Sequence, residues 1–358
     1  MIKRILHIVG TRPQYIKLFP LWNEIKKESG VEQYIYDTGQ HYDEEMSRKV
    51  IEEFGFQNIA FGNIAGMGPE RQIPLMITNI WNEILSYKPD YVFLYGDTNS
   101  TMAGAIACAK NSIPYGHLEA GVRTEAHIGI QEGVNRKVAD HLATHHFCVN
   151  SIDYKNLNNE GVDRNKNFLV GDLMYDAFSL IKAKFSIEES KRQEKFLVTI
   201  HRAENVDNEL RRKKLINFLI ELSEDVDVVL PLHPRLKLKA TEKELVDLEK
   251  SNVTVVSPLT YSNVIKELIN CNGVITDSGG LPKDAAYAGV KSVVLRDDPI
   301  WEELHKLDYI STVNDIDSIT ENELKKYCLN KLGDIMPIYE CDIASAKIIS
   351  IVKKYLNT

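Results

Sequence analysis

Short apolar runs, each followed by a polar turn and then a helical pattern, recur along this chain and leave few folds open to it. Ile5–Val9, Gln33–Asp37, Tyr91–Tyr95, Tyr115–Leu118 and His146–Val149 read as strands. Ile16–Lys27, Glu44–Phe54, Ser100–Lys110 and Gly133–Leu142 carry helical spacing between them. The rhythm pauses over 150–195. It resumes with Phe196–Ile200, Val226–Leu230, Val253–Val256, Val274–Thr276 and Ser292–Leu295, separated by helices such as Arg212–Leu222 and Asn263–Asn270. A βαβα order implies parallel sheets with helices on both faces, an α/β class. One core rarely grows past roughly 250–300 residues, so a chain of 358 residues is expected to form two Rossmann-like halves joined near 165–185. Ala344–Tyr355 has the periodicity of a last helix.

Bulk properties exclude several function classes. A net charge of −8 argues against a nucleic-acid binder, although a local cationic pocket for an anion is compatible with it. The five cysteines are odd in number and no pair has C-x-x-C spacing, so reduced, buried thiols are expected. The apolar run before Gly10 is short for a signal peptide, and no stretch has the length of a membrane span. The expected compartment is the cytoplasm, with no membrane partner.

In open parallel sheets, ligands bind beyond the carboxyl ends of the strands. That rule selects the loops Gly10-Thr11-Arg12-Pro13, Gly96-Asp97-Thr98-Asn99-Ser100, Glu119-Ala120-Gly121, His201-Arg202-Ala203-Glu204-Asn205 and Asp277-Ser278-Gly279-Gly280. Loaded loop edges on two halves suggest a site in an interdomain cleft. Ser278, Gly279 and Gly280 lead into a helix, where small residues admit a phosphate and the helix end favours negative charge; Arg296 follows the next strand. No Walker loop and no G-x-G-x-x-G fingerprint is present. Arg12 and Lys17 flank the first turn and are candidate diphosphate contacts, or else ordinary surface charges. Asp97 is read as either a helix N-cap or an acid/base group. Glu119 ends an apolar strand, where an unpaired carboxylate is expensive. With Glu132 it completes a set of three carboxylates able to divide acid and base roles. His201, with Arg202 beside it, and His233 are candidate ligand contacts. The spacing of these carboxylates and histidines does not favour a metal site.

Taken in order, the motifs Gly10-Thr11-Arg12-Pro13-Gln14-Tyr15-Ile16-Lys17, Thr38-Gly39-Gln40-His41-Tyr42-Asp43, Gly96-Asp97-Thr98-Asn99-Ser100-Thr101, His117-Leu118-Glu119-Ala120-Gly121-Val122-Arg123-Thr124, Gly171-Asp172, Val198-Thr199-Ile200-His201-Arg202 and Thr276-Asp277-Ser278-Gly279-Gly280 resemble those of the non-hydrolysing UDP-N-acetylglucosamine 2-epimerases over essentially the whole chain. The resemblance implies a GT-B architecture: an N-terminal domain over 1–170 with the catalytic carboxylates, a nucleotide-binding domain over 171–340, and a C-terminal helix over 341–358 returning to the first. It implies loss of the C2 proton and of UDP, a 2-acetamidoglucal intermediate, and re-addition of UDP, with no NAD and no metal. It assigns Asp97, Glu119 and Glu132 to acid/base work and His201 to the active site. It places Arg12, Lys17, Ser278, Gly279 and Gly280 around the nucleotide. It further implies a homodimer serving cell-surface polysaccharide precursors.

Three departures stand out. Glu132 aligns with the family glutamate only if one residue is inserted after Thr124. Asp284 stands, one methylene shorter, where the family has a ribose-binding glutamate. Trp301 stands where the family has arginine. Together with Tyr95-Gly96-Asp97-Thr98-Asn99-Ser100-Thr101 and Gly171-Asp172-Leu173-Met174-Tyr175-Asp176-Ala177, Trp301 resembles the branch acting on UDP-2,3-diacetamido-glucuronate. For that substrate Trp301 could pack on the extra acetamido methyl, or could instead be a core residue, and Arg123 and Arg136 are the candidate cations for the uronate.

Overall fold

A computed structural model describes residues 3–40, 44–64, 66–123, 131–185, 194–297, 301–314, 316–318, 320–329 and 343–357. It divides into two compact units, residues 1–177 with 339–358, and residues 178–338. The first contains β1 (Lys3–Val9), α1 (Arg12–Ile25), β2 (Val31–Asp37), α2 (Glu44–Phe54), β3 (Ile59–Phe61), α3 (Pro69–Tyr87), β4 (Tyr91–Tyr95), α4 (Asn99–Lys110), β5 (Tyr115–Leu118), α5 (Gln131–Leu142), β6 (His145–Cys148), α6 (Ser151–Asn159) and β7 (Asn167–Leu169). The division falls inside α7 (Leu173–Lys184). The second unit contains β8 (Lys195–Thr199), α8 (Ala203–Val206), α9 (Glu209–Leu222), β9 (Asp227–Pro231), α10 (Pro234–Lys239), α11 (Glu242–Lys250), β10 (Val253–Val256), α12 (Tyr261–Asn270), β11 (Gly273–Thr276), α13 (Leu281–Tyr287), β12 (Lys291–Leu295), α14 (Glu302–Lys306), β13 (Ile310–Val313) and α15 (Glu321–Leu329). The chain then returns to the first unit as α16 (Ala344–Asn357).

The first sheet has the order β3-β2-β1-β4-β5-β6-β7 and the second β10-β9-β8-β11-β12-β13, with every described pairing parallel. In each, the direction of winding reverses beside the first strand, between β1 and β4 and between β8 and β11. These are the switch points where loops diverge and leave a crevice. Central strands are apolar because helices cover both faces. Leu6, Ile8, Val92 and Leu94 pack with Ala103, Ala107, Met76 and Ile80 on one side of the first sheet. Val198, Leu230, Ile275 and Val293 pack with Leu215, Leu219 and Leu324 in the second. Each fully buried aliphatic side chain contributes about 1.5–3 kcal/mol.

Two polar features are built into the first core. His7, in mid-strand, is fully buried, with Nδ1 2.7 Å from the Tyr95 hydroxyl and Nε2 3.2 Å from Gln33 Oε1. Burial pulls its pKa down to about 3, the Gln33 hydrogen bond acting the other way. Asp176, just before the division, caps α16 by accepting from Ser345 N at 2.7 Å and Ser345 Oγ at 2.6 Å.

The pause expected over 150–195 is occupied by α6, β7 and α7. The helix expected at Ile16–Lys27 begins at Arg12, because Thr11 and Gln14 form a capping box and Pro13 suits the first turn. No described helix is long and apolar enough to cross a membrane. Cys108, Cys148, Cys271 and Cys328 are buried thiols outside any disulfide, and Cys341 lies outside the described residues.

Candidate active site

In the first unit, the turns after β4 and β5 bring two of the three expected carboxylates into one charged cluster. Lys17, on the second turn of α1, donates from Nζ to Glu119 Oε2 at 2.7 Å, which supplies the partner that a carboxylate at this strand end requires. Glu119 is almost fully buried and its backbone is left-handed, with φ 61°. A non-glycine residue held there is strained, and such strain persists only where the surroundings enforce it. Gly96, at φ 65°, lies directly against the pair: a Cβ there would stand 3.4 Å from Glu119 Oε2 and 3.5 Å from Lys17 Nζ. Gly121 closes the turn at φ 83°, where a Cβ would come within 2.2 Å of the Asp153 carbonyl, so only glycine fits.

Asp97 is not the N-cap of α4. Thr98 fills that place, its side chain accepting from Thr101 N. Asp97 is instead ion-paired with Arg136 on α5, whose Nη1 also donates to the Glu119 carbonyl at 3.2 Å. Asn135, one residue earlier, donates to the Asp97 carbonyl at 2.9 Å. Asp97 keeps about a third of its side chain in contact with solvent, whereas Arg136 is buried. Glu132 is exposed on the first turn of α5, one turn ahead of Asn135 and Arg136 on the same helical face. Arg12 opens α1, half-buried. His41, Asp43 and Thr124 lie outside the described residues. Arg123 is engaged with Glu160 at 2.7 and 2.8 Å and with Asp140 at 2.8 Å.

In the second unit, a carboxylate that sequence reasoning had left inside a motif proves central. Asp277, fully buried at the end of β11, accepts from the backbone N–H groups of His201 and Arg202 at 3.0 and 2.9 Å and from Asn205 Nδ2 at 3.2 Å, across the switch point from β8. His201 Nδ1 lies 3.1 Å from Asp277 Oδ1, so the same carboxylate that holds the loop backbone also holds the imidazole. Burial lowers the His201 pKa, against the raising effect of Asp277. His233 caps α10 by accepting from Arg235 N at Nδ1, its ring centroid 5.2 Å from that of His201. Arg202 reaches Glu204 at 3.1 Å.

Ser278 Oγ accepts from Gly280 N and Leu281 N at 3.3 and 3.4 Å, which leaves its hydroxyl proton as a donor at the turn. The buried Arg296 lies behind that turn, with Nη1 3.9 Å from where a Gly279 Cβ would be. Asp284 is buried and accepts from the Tyr261 hydroxyl at 2.8 Å. Trp301 adopts φ 55°, donates from its indole nitrogen to the Gly279 carbonyl at 2.7 Å, and carries the Lys283 ammonium 3.9 Å from its ring centroid. The ring also packs on Ala286, Val294 and Leu304. Trp301 is thus half-buried against this apolar cluster and holds the Gly279 turn. Among the described residues no cluster of three or more His, Cys, Asp or Glu side chains is placed to hold a metal ion.

A family model described as UDP-N-acetylglucosamine 2-epimerase matches residues 23–353, spanning both units. The chain belongs to this family. A UDP-N-acetylglucosamine 2-epimerase homolog of Methanococcus maripaludis is 37% identical over 311 residues, which is 84% of this chain and 85% of the relative. The UDP-2,3-diacetamido-2,3-dideoxy-D-glucuronate 2-epimerase of Pseudomonas aeruginosa is 36% identical over 307 residues, again 84% and 85%. The crystal structure of the Methanocaldococcus jannaschii UDP-GlcNAc 2-epimerase with UDP-GlcNAc and UDP matches 98% of this chain and 99% of that one, at 30% identity and a TM-score of 0.82. The two parallel sheets are of the GT-B type found in these family members. The chain is thus a UDP-sugar 2-epimerase, an isomerase.

Proposed function

We propose that this chain interconverts the C2 epimers UDP-N-acetylglucosamine and UDP-N-acetylmannosamine by eliminating and re-adding UDP. The carrying observation is the paired cluster on neighbouring strand ends, Lys17–Glu119 and Arg136–Asp97. A carboxylate takes the C2 proton, the electron pair of that C–H bond forms the C1–C2 double bond, and the C1–O bond breaks with its pair leaving on UDP. Return of a proton to the opposite face of C2, with attack of a UDP phosphate oxygen on C1, completes the epimerisation. We assign the proton transfers to Asp97 and Glu119, with Glu132 on the adjoining helix, and UDP to the second unit. There the Ser278–Gly280 turn, Arg296 and His201 offer donors and positive charge to a departing diphosphate. Arg202 adds a cation in the second unit, where His233 flanks His201 and we assign Asp284, held by Tyr261, to the ribose; Arg12 and Lys17 are the candidate anion contacts of the first unit.

The second reading is the 2,3-diacetamido-glucuronate, favoured by the Pseudomonas relative. Its proposed uronate contacts are weakened here, because Arg123 is engaged by Asp140 and Glu160 and Arg136 by Asp97. Incubation with each sugar, followed by NMR, separates them: the C2 epimer of UDP-N-acetylglucosamine is expected, and turnover of the diacetamido uronate alone overturns the choice. Accumulation of UDP and free N-acetylmannosamine would identify hydrolysis instead. We further propose a cytoplasmic homodimer that supplies cell-surface polysaccharide synthesis; a monomeric mass by light scattering would overturn the dimer.

A further inference from the structure

The three candidate carboxylates hang from different supports: Asp97 from the turn after β4, Glu119 from the end of β5, and Glu132 from α5. One side chain ties these supports together. Asp140 lies on α5, one turn beyond Arg136 and two beyond Glu132. Its carboxylate accepts from His117 Nδ1 at 2.6 Å, from Gly121 N at 3.3 Å and from Arg123 Nη2 at 2.8 Å. His117 Nε2 donates in turn to the carbonyl of Gly96, the residue before Asp97, at 2.8 Å. Asp140 and His117 are both fully buried, too deep to meet a substrate. Burial alone would push the Asp140 pKa up, but His117 and Arg123 outweigh it and bring it down to about 2, so the group is an anion throughout the neutral range. The left-handed Glu119 and the positive φ of Gly121 show why a tie is needed, since this turn is strained and must be held from outside.

We infer that Asp140 is a positioning residue for the C2 chemistry, its carboxylate fixing the Asp97 turn and the Glu119 turn to the helix that carries Glu132. The inference rests on the proposal that these carboxylates transfer the protons. A merely structural ion pair would, on removal, lower stability and leave the kcat of the folded protein alone. A tie of this kind acts on the placement of reacting groups, where errors of an ångström slow an enzyme steeply.

The test is Asp140→Asn in the full chain. The amide keeps the volume but cannot accept from all three donors. The expected result is a kcat at least about tenfold lower, the scale of misplaced groups, with KM and UDP affinity within about threefold of the parent. Amide hydrogen exchange without substrate should quicken at both 96–99 and 119–123. His117→Asn cuts only the arm to Gly96, so it should quicken exchange at 96–99 alone and also lower kcat, and it decides the matter if Asp140→Asn does not fold. A folded variant with parental kcat overturns the role, as does a kcat loss matched by an equal loss of UDP affinity. Unchanged exchange overturns the tie itself, whereas a parent inert on both UDP-sugars overturns the proposed reaction.

Discussion

Replacing Glu119 by glutamine removes one proton acceptor and one negative charge while keeping the side chain's length. Glutamine has the same length and tolerates the left-handed backbone no worse than glutamate, so the φ of 61° carries over. Its Oε1 still accepts from Lys17 Nζ, now 2.7 Å from the carboxylate, but the counter-charge is gone. Stripping one partner from a fully buried pair costs roughly 3–5 kcal/mol. Lys17 keeps some solvent contact and a hydrogen bond, so about 1–3 kcal/mol is expected here, within a typical stability of about 5–15 kcal/mol. The catalytic loss is separate. An acid/base group contributes roughly 10²–10⁴ in rate, about 3–5 kcal/mol of barrier. UDP, assigned to the second unit, should bind as it does to the parent. Three measurements suffice: urea unfolding, calorimetric titration with UDP, and NMR kinetics of epimerisation. A folded variant that binds UDP like the parent and turns over within about threefold of it refutes Glu119 as a proton-transfer group.

Gly121→Ala should lower the melting temperature. Alanine at φ 83° with its Cβ 2.2 Å from the Asp153 carbonyl costs about 2–5 kcal/mol in strain and overpacking, roughly 5–15 °C by calorimetry; a shift under about 2 °C would refute the close approach. Acidification should destabilise the parent through His7. Its folded pKa of about 3 lies below the usual histidine value, so the unfolded chain binds the proton first and stability falls as pH drops below about 6.5, by about 2 kcal/mol between pH 7 and 5. Chemical unfolding across that range should show this loss, and His7→Gln should shrink it; an equal loss in the variant would point elsewhere. Trp301→Phe keeps the ring beneath Lys283 and deletes one hydrogen bond to Gly279 O. UDP affinity should weaken by about 1 kcal/mol, near fivefold, with kcat/KM for the two UDP-sugars changing in parallel. A changed ratio would return substrate selection to Trp301.

The sheets were legible because their strands are short apolar runs bounded by turns. Tyr91–Tyr95, Tyr115–Leu118 and Val253–Val256 form as read, and Glu44–Phe54 forms as read among the helices. Three kinds of element were hidden. The edge strands β3 and β7 have only three residues each, too few for an apolar signature, and β13 carries Ser311 and Thr312 between its two apolar residues. The long helix α3 contains Pro69 and Pro74, which read as breakers although the first suits an N-terminal turn. The helices α6 and α7 are mixed in polarity and blur into the apparent pause. At the candidate site, Asp97, Glu119 and His201 were visible as polar residues at strand ends. The pairings were not: Arg136 with Asp97, Asp140 with His117 and Asp277 with the His201 turn join residues far apart along the chain, which no local spacing encodes. A carboxylate next to an apolar strand, as Asp277 is after Val274–Thr276, was the available signal for the last of them.

The proposed elimination makes C2 exchange its hydrogen with solvent on every productive turnover, and the most direct measurement follows that atom. UDP-N-acetylglucosamine incubated with the protein in heavy water, without added NAD, should yield UDP-N-acetylmannosamine deuterated at C2 by NMR and mass spectrometry, with free 2-acetamidoglucal and UDP at most minor. Epimer formed with protium fully retained at C2 would contradict the elimination and the roles given to Asp97 and Glu119 with it.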